Sequence, residues 1–156
     1  ITKALNLIIL GPTGAGKTFL SCALGRAACQ HDLVVRFFRL PRFFQEVKTA
    51  QMEGEYPRFL KTLSKTDLLI FDDWLRDPLS VTETQTLLDI LDDRYGKQST
   101  MVATQYPVST WHARLPDPTL ADAILDRLVH NAHRIELKGE SQRKLRAEST
   151  MSSTNV

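Results

Sequence analysis

The sequence predicts an α/β fold built on a mostly parallel sheet with helices on both faces. Short apolar runs recur along the chain, helical repeats of apolar residues lie between them, and a Gly-rich turn joins the first run to the first repeat. The residues from Leu5 to Leu10 read as a buried strand, and Val34 to Phe38 and Leu68 to Phe71 read the same way. Thr100 to Thr104 and Arg134 to Leu137 are weaker strands that bring the expected number to five.

Between the first two strands, Leu20, Ala23, Leu24, Ala27 and Ala28 repeat at helical spacing, which makes a βαβ unit. Pro41 suits a first helical turn, and Phe43, Phe44 and Val47 form the apolar stripe of that second helix. A short helix holds Phe59, Leu60 and Leu63. Ser80-Val81-Thr82-Glu83 is a capping box opening a helix with Leu87, Leu88, Leu91 and Tyr95 inward and Gly96 just past its end. Asp117-Pro118 caps another, which carries Leu120, Ile124, Leu125 and Leu128.

A length of 156 residues with 42% hydrophobic and 24% charged residues suits one globular domain and excludes disordered and collagen-like chains. No apolar run approaches a bilayer span, and Ile1-Thr2-Lys3-Ala4-Leu5 lacks the pattern of a signal peptide, so the expected setting is cytoplasmic, with no membrane partner. The start without Met suggests that an N-terminal segment has been removed. The residues after Ser149 read as a disordered tail. Cys22 and Cys29, seven apart on one helix, cannot pair and are expected to be small buried residues. The net charge of +2 hides an asymmetry: residues 1–66 carry 10 basic and 4 acidic groups, residues 67–132 carry 5 and 11. Such polarity suits head-to-tail docking or a basic face for nucleic acid.

The most specific signal is Gly11-Pro12-Thr13-Gly14-Ala15-Gly16-Lys17-Thr18, which follows a strand and opens a helix. Backbone N–H groups of such a loop close around phosphate oxygens. Lys17 reaches the β- and γ-phosphates of ATP and the Thr18 hydroxyl ligates Mg2+, with Phe19 completing the expected contact stretch. Asp72 and Asp73 end a buried strand, where open α/β sheets place their ligands. Asp72 is expected to hold the metal and Asp73 to orient or deprotonate the attacking water. Gln105, with Thr104 as second choice, sits where a γ-phosphate sensor would. Arg127 lies outward on its helix, either as a surface residue or as an arginine finger acting on a neighbouring subunit. The four histidines show no metal-ligand spacing.

The chain resembles the AAA+ ATPases of the IstB and DnaC type, IstB most closely. The likeness rests on the phosphate loop, on Leu68 to Trp74, on Asp93-Arg94-Tyr95-Gly96, on Asp117 to His130, and on Lys138-Gly139-Glu140-Ser141. It implies a P-loop NTPase of AAA+ type over residues 1–148, a three-layer sandwich on a mostly parallel five-stranded sheet, without the usual C-terminal lid and without the family's N-terminal DNA-binding segment. It further implies an oligomeric ATPase that binds duplex target DNA and stimulates the transposase of a bacterial insertion sequence. A replicative helicase loader on the same core is the alternative, and a small-molecule P-loop kinase is a more distant one. By position, Lys17 and Thr18 are the phosphate-loop pair, Asp72 and Asp73 the Walker B acids, Gln105 the sensor and Arg127 the finger. Asp73 stands where most AAA+ proteins have Glu, so slow hydrolysis stimulated by assembly, DNA or a partner is expected. Arg143 is a candidate second sensor. For DNA, the candidates are the basic residues Arg36, Arg39, Arg42 and Lys48 with Phe43 and Phe44 interleaved, or else Arg143, Lys144 and Arg146.

Overall fold

The structure, a computed structural model, describes residues 3–139 and residue 146. Arg143, Lys144 and the tail from 149 lie outside the described residues. Five strands, β1 (Asn6–Leu10), β2 (Val35–Arg39), β3 (Leu68–Asp72), β4 (Ser99–Thr104) and β5 (Ala132–Glu136), form one sheet in the order β2-β3-β4-β1-β5. Every pairing is parallel. β3 and β4 are buried along their whole length, as central strands covered on both faces must be; β3 reads as an apolar run ending in Asp72, whereas β4 buries Ser99, Thr100 and Thr104 around Met101, Val102 and Ala103.

Helix α1 (Lys17–Gln30) covers one face, over a layer made of Ile9, Leu68, Ile70, Met101 and Ala103. Of the expected inner stripe of α1, Leu20, Leu24 and Ala28 pack on this layer and Ala23 and Ala27 do not. Ser21, Gly25 and Ala28 are buried, whereas Ala23, Ala27, Cys22 and Cys29 are exposed. The reason is close approach: a Cβ on Gly25 would stand 3.0 Å from Ile70 Cδ1, so the helix lies too near the sheet for larger side chains there. The other face is packed by α2 (Leu40–Met52), α3 (Tyr56–Ser64), α4 (Val81–Arg94) and α6 (Pro118–Val129). Phe43 anchors this layer, with ring centroids 5.3 Å from Phe38 and 5.0 Å from Phe71, both edge-on.

The expected caps form. Ser80 Oγ accepts from Glu83 N at 3.0 Å and Ser80 N donates to Glu83 Oε1 at 3.3 Å, while Asp117 Oδ1 accepts from Leu120 N at 2.9 Å. Tyr95 is a correction: it is the C-cap of α4, 47% exposed, not an inner residue. A turn of 3-10 helix at Val108–Thr110 and a short α5 (Trp111–Arg114) were not foreseen; Trp111 fixes them, fully buried with its indole N–H donating to Tyr106 O at 2.9 Å.

No helix among the described residues is long and apolar enough to cross a membrane.

Candidate nucleotide site

A cleft of about 880 Å³ opens at the carboxyl end of the sheet and is lined by residues 13–20 together with Asp72, Asp73 and Gln105. The turn from β1 into α1 shapes it. Gly16 is the N-cap of α1 at φ +98°, a left-handed conformation that a side chain would strain. Gly11 faces a different constraint: a Cβ there would meet both Cβ and O of Leu137 at 3.1 Å, because the chain leaving β5 continues close beside the end of β1, with Leu137 N donating to Leu10 O at 2.7 Å.

The residues singled out at 17, 18 and 72 converge. Thr18 Oγ1 donates to Asp72 Oδ2 at 2.6 Å across 54 positions of sequence. Lys17 Nζ donates to the carbonyls of Gly11 and Pro12 at 2.8 and 2.9 Å. Burial pushes the Lys17 ammonium below its ordinary pKa, while the Asp72 and Asp73 carboxylates push it back up. A cation desolvated at the mouth of a loop and satisfied only by carbonyls is poised to exchange them for phosphate oxygens. The hydroxyl and carboxylate paired at 2.6 Å are the hard oxygen donors that Mg2+ takes, so the donor set fits that ion.

Asp73 follows the strand in a left-handed conformation, φ +55°, and Leu75 is left-handed too at φ +57°. Three clamps hold this turn. Trp74 N donates to Ala103 O at 3.0 Å, Thr104 Oγ1 donates to Trp74 O at 3.0 Å, and Arg114 donates to Leu75 O at 2.9 Å while lying over the Tyr106 ring. Thr104 is thereby committed to the turn and buried, whereas Gln105 is exposed and accepts from Thr13 Oγ1 of the phosphate loop at 2.6 Å. Of the two sensor candidates, the geometry brings Gln105 to the loop. Phe19 is 77% exposed at the rim of the cleft.

Two cleft residues lie outside the expected nucleotide site: Arg76, which the sequence reading does not single out, and Arg39, which it assigns to DNA. Arg76 Nη1 pairs with Asp73 Oδ2 at 3.0 Å, and Arg76 also pairs with Asp77; the i, i+3 spacing of Asp73 and Arg76 was the available signal. Arg36, Arg39, Arg42 and Lys48 are all exposed, but Arg39 ends the edge strand β2 opposite Asp72 and lines the cleft, which the other three do not. Phe43 and Phe44 are core residues, not part of a nucleic-acid face.

Arg127 stands away from this cleft. Asn6, the first residue of β1, donates through its side-chain amide to Arg127 O at 3.1 Å and Leu128 O at 3.2 Å. The phosphate loop leaves the far end of the same strand, roughly 15 Å away at about 3.3 Å per residue. The Arg127 guanidinium pairs with Asp92 Oδ1 at 2.6 Å and with Asp126, and lies 5.1 Å from the Tyr95 ring centroid.

The parallel sheet, the glycine turn feeding a helix, and the paired Thr18 and Asp72 define the class: a P-loop ATP-binding domain of AAA+ type. Residues 1–150 match the family described as IstB-like ATP binding protein, and the chain belongs to that family. It is 52% identical over 139 residues to y4pL of Sinorhizobium fredii (strain NBRC 101917 / NGR234), which is named as an insertion sequence ATP-binding protein; the match covers 89% of this chain and 57% of that one. The chain thus spans a little over half the length of this relative. Among solved structures, the DnaC helicase loader aligns with a TM-score of 0.72 at 23% identity, over 87% of this chain and 80% of that one. The replication initiator DnaA bound to AMPPCP and single-stranded DNA aligns at 0.75 and 18% identity, over 96% and 46%. These two likenesses establish the shared fold.

Proposed function

We propose that the chain is the ATP-hydrolysing core of a transposition helper: it binds ATP with Mg2+, self-associates on duplex target DNA in the cytoplasm, and stimulates the transposase of its insertion sequence. The observation that carries the reading is the 2.6 Å contact between Thr18 and Asp72 beside Lys17, inside a family of insertion sequence ATP-binding proteins. In this reading residues Gly11 to Phe19 hold the nucleotide. Lys17 leaves the Gly11 and Pro12 carbonyls for the β- and γ-phosphates, and Thr18 and Asp72 hold Mg2+, which neutralises charge on the phosphates.

Asp73 orients the attacking water and takes its proton as the oxygen adds to the γ-phosphorus; the bond to the β,γ-bridging oxygen breaks, giving ADP and phosphate. Arg76 fixes the Asp73 carboxylate through Oδ2 and leaves the second oxygen for the water. Gln105, tethered to Thr13, reports the state of the γ-phosphate to β4. Arg127 acts on a neighbouring subunit, because its own loop lies a strand length away. For DNA, Arg36, Arg42 and Lys48 offer exposed cationic contacts to the phosphate backbone. The helicase-loader alternative has the shared fold in its support, and the 52% identity to an insertion sequence protein outweighs it.

Phosphate release measured with and without duplex DNA, together with sizing in AMPPCP and DNA, tests the proposal. ATP-dependent assembly with DNA-stimulated release is the expected result. Phosphate transfer to a small acceptor in place of water would replace the reading with a kinase.

A further inference from the structure

We infer that Arg39 is a phosphate-binding residue of its own subunit's nucleotide site, which meets the terminal phosphate and so sets the preference for ATP over ADP. The inference rests on the nucleotide reading above and concerns a residue whose charge otherwise suggests DNA.

Side chains alternate across a strand, so Val35, Phe37 and Arg39 of β2 share one face. Val35 packs into the layer beneath α1, which places Arg39 on the α1 side of the sheet. It stands at the strand's carboxyl end, where α1 begins with Lys17 and Thr18. In the sheet its Cα is paired with that of Asp72, and it lines the cleft with Thr18, Asp72 and Asp73. Parallel neighbours lie about 4.8 Å apart, well within the reach of an arginine side chain. The contact between Thr18 and Asp72 marks the metal end of the phosphate chain, so a cation beside it faces the terminal phosphate and not the base.

Charge points the same way. Lys17, Arg39 and Arg76 line the cleft with the carboxylates of Asp72 and Asp73. Lys17 is held by loop carbonyls and Arg76 by Asp73 and Asp77. The Arg39 side chain makes no hydrogen bond or ion pair among the described residues. A guanidinium kept beside two carboxylates without pairing with them is available for an anion that arrives with the ligand.

The test compares the full chain with Arg39→Ala, Arg39→Lys and, as a control at an exposed arginine on α3, Arg58→Ala, measuring affinities for AMPPCP and ADP with Mg2+, then duplex-DNA binding across a salt series. Arg39→Ala is expected to weaken AMPPCP about tenfold or more, the loss of one charge-assisted contact, with ADP held within about twofold. Retained ADP binding also certifies that the variant is folded. Arg39→Lys should fall between, and Arg58→Ala should leave both nucleotides unchanged. The log–log salt slope for DNA should be the same for Arg39→Ala and wild type. An unchanged AMPPCP-to-ADP ratio in Arg39→Ala overturns the inference. If the salt slope also drops by about one unit, Arg39 belongs to the DNA contact instead. A wild type that binds neither nucleotide sinks the ATP reading itself. A wild type that hydrolyses ATP while Arg39→Ala keeps its ratio sinks this inference alone.

Discussion

The two ends of the sheet use the same residue type in opposite ways. At the amino-terminal end, Arg94 is 1% exposed and donates to Leu63 O, Thr66 O and Ser99 O at 2.6, 2.7 and 2.5 Å, and to Thr100 Oγ1 at 3.1 Å. It ties the end of α3 to the start of β4. Burial lowers its pKa to about 10, with Asp67 opposing, and it remains charged at neutral pH. At the carboxyl end, Lys17, Arg39 and Arg76 surround an open cleft, and their protein contacts are few or exchangeable. A buried arginine whose hydrogen bonds run to the chain's own backbone and hydroxyls is part of the fold. One whose donors face a cavity is part of a site.

The largest effects should break the carboxyl end without disturbing the other. Asp73→Asn should leave nucleotide affinity intact and lower turnover on the order of 10³-fold, since it removes the proton acceptor and spares Asp72. Lys17→Ala should instead abolish tight ATP binding. Nucleotide titration and phosphate release separate the two, and normal hydrolysis by the Asp73 variant would move the catalytic acid elsewhere. Arg127→Ala should have a comparable effect on assembly-dependent hydrolysis, on the order of 10³-fold, with isolated-subunit affinity unchanged. Mixing it with Lys17→Ala should recover activity at interfaces that join an intact loop to an intact finger. Affinity lost in the lone variant subunit would contradict a trans role.

Next comes the amino-terminal end. Arg94→Met should cost about 3 kcal/mol of stability in urea unfolding, because it strands several buried carbonyls at once. Nucleotide affinity of the folded protein should stay within about twofold. An unchanged unfolding midpoint would mean that those carbonyls find other partners. The smallest effect belongs to Ser80→Ala, about 1 kcal/mol by the same measurement, from losing one half of the capping box. Turnover should not change, since α4 begins outside the cleft.

What the sequence made legible was local. The five strands, the glycine turn and both side-chain caps depend on residues within a few positions of each other, and each stands where its pattern placed it. The buried face of α1 was legible only in part, because Ser21 and Gly25 face inward for lack of room, which depends on Ile70 and not on the helix's own pattern. Phe43 and Phe44 looked like part of a basic patch because an apolar residue beside arginines reads equally as core or as stacking surface; contact with Phe38 and Phe71 decides for the core. The sorting of arginines was hidden for the same reason. Nothing near Arg94 in the chain announces the carbonyls of Leu63 and Thr66, and nothing near Arg39 announces Asp72. Of the site, the loop and the acids were readable from motif and spacing, while the i, i+3 spacing of Asp73 and Arg76 hinted at an ion pair that the folded turn, left-handed at Asp73 and Leu75, brings to 3.0 Å.

The packing of the two tryptophans has a practical consequence. Trp74 and Trp111 are the chain's full complement of that residue, both are buried, and their ring centroids lie 5.8 Å apart. Trp74 directly follows Asp73 and lines the cleft, whereas Trp111 is anchored to Tyr106 O. Ultraviolet emission from the unlabelled protein therefore originates at the end of the sheet where the cleft opens, from one indole beside the candidate catalytic acid and a second held fixed next to it. A change in the Asp73 turn alters the surroundings of the first ring and its geometry against the second, so intensity and near-ultraviolet dichroism follow the state of the cleft. The molecule carries its own fluorescent gauge, readable in a stopped-flow mixing experiment without a dye.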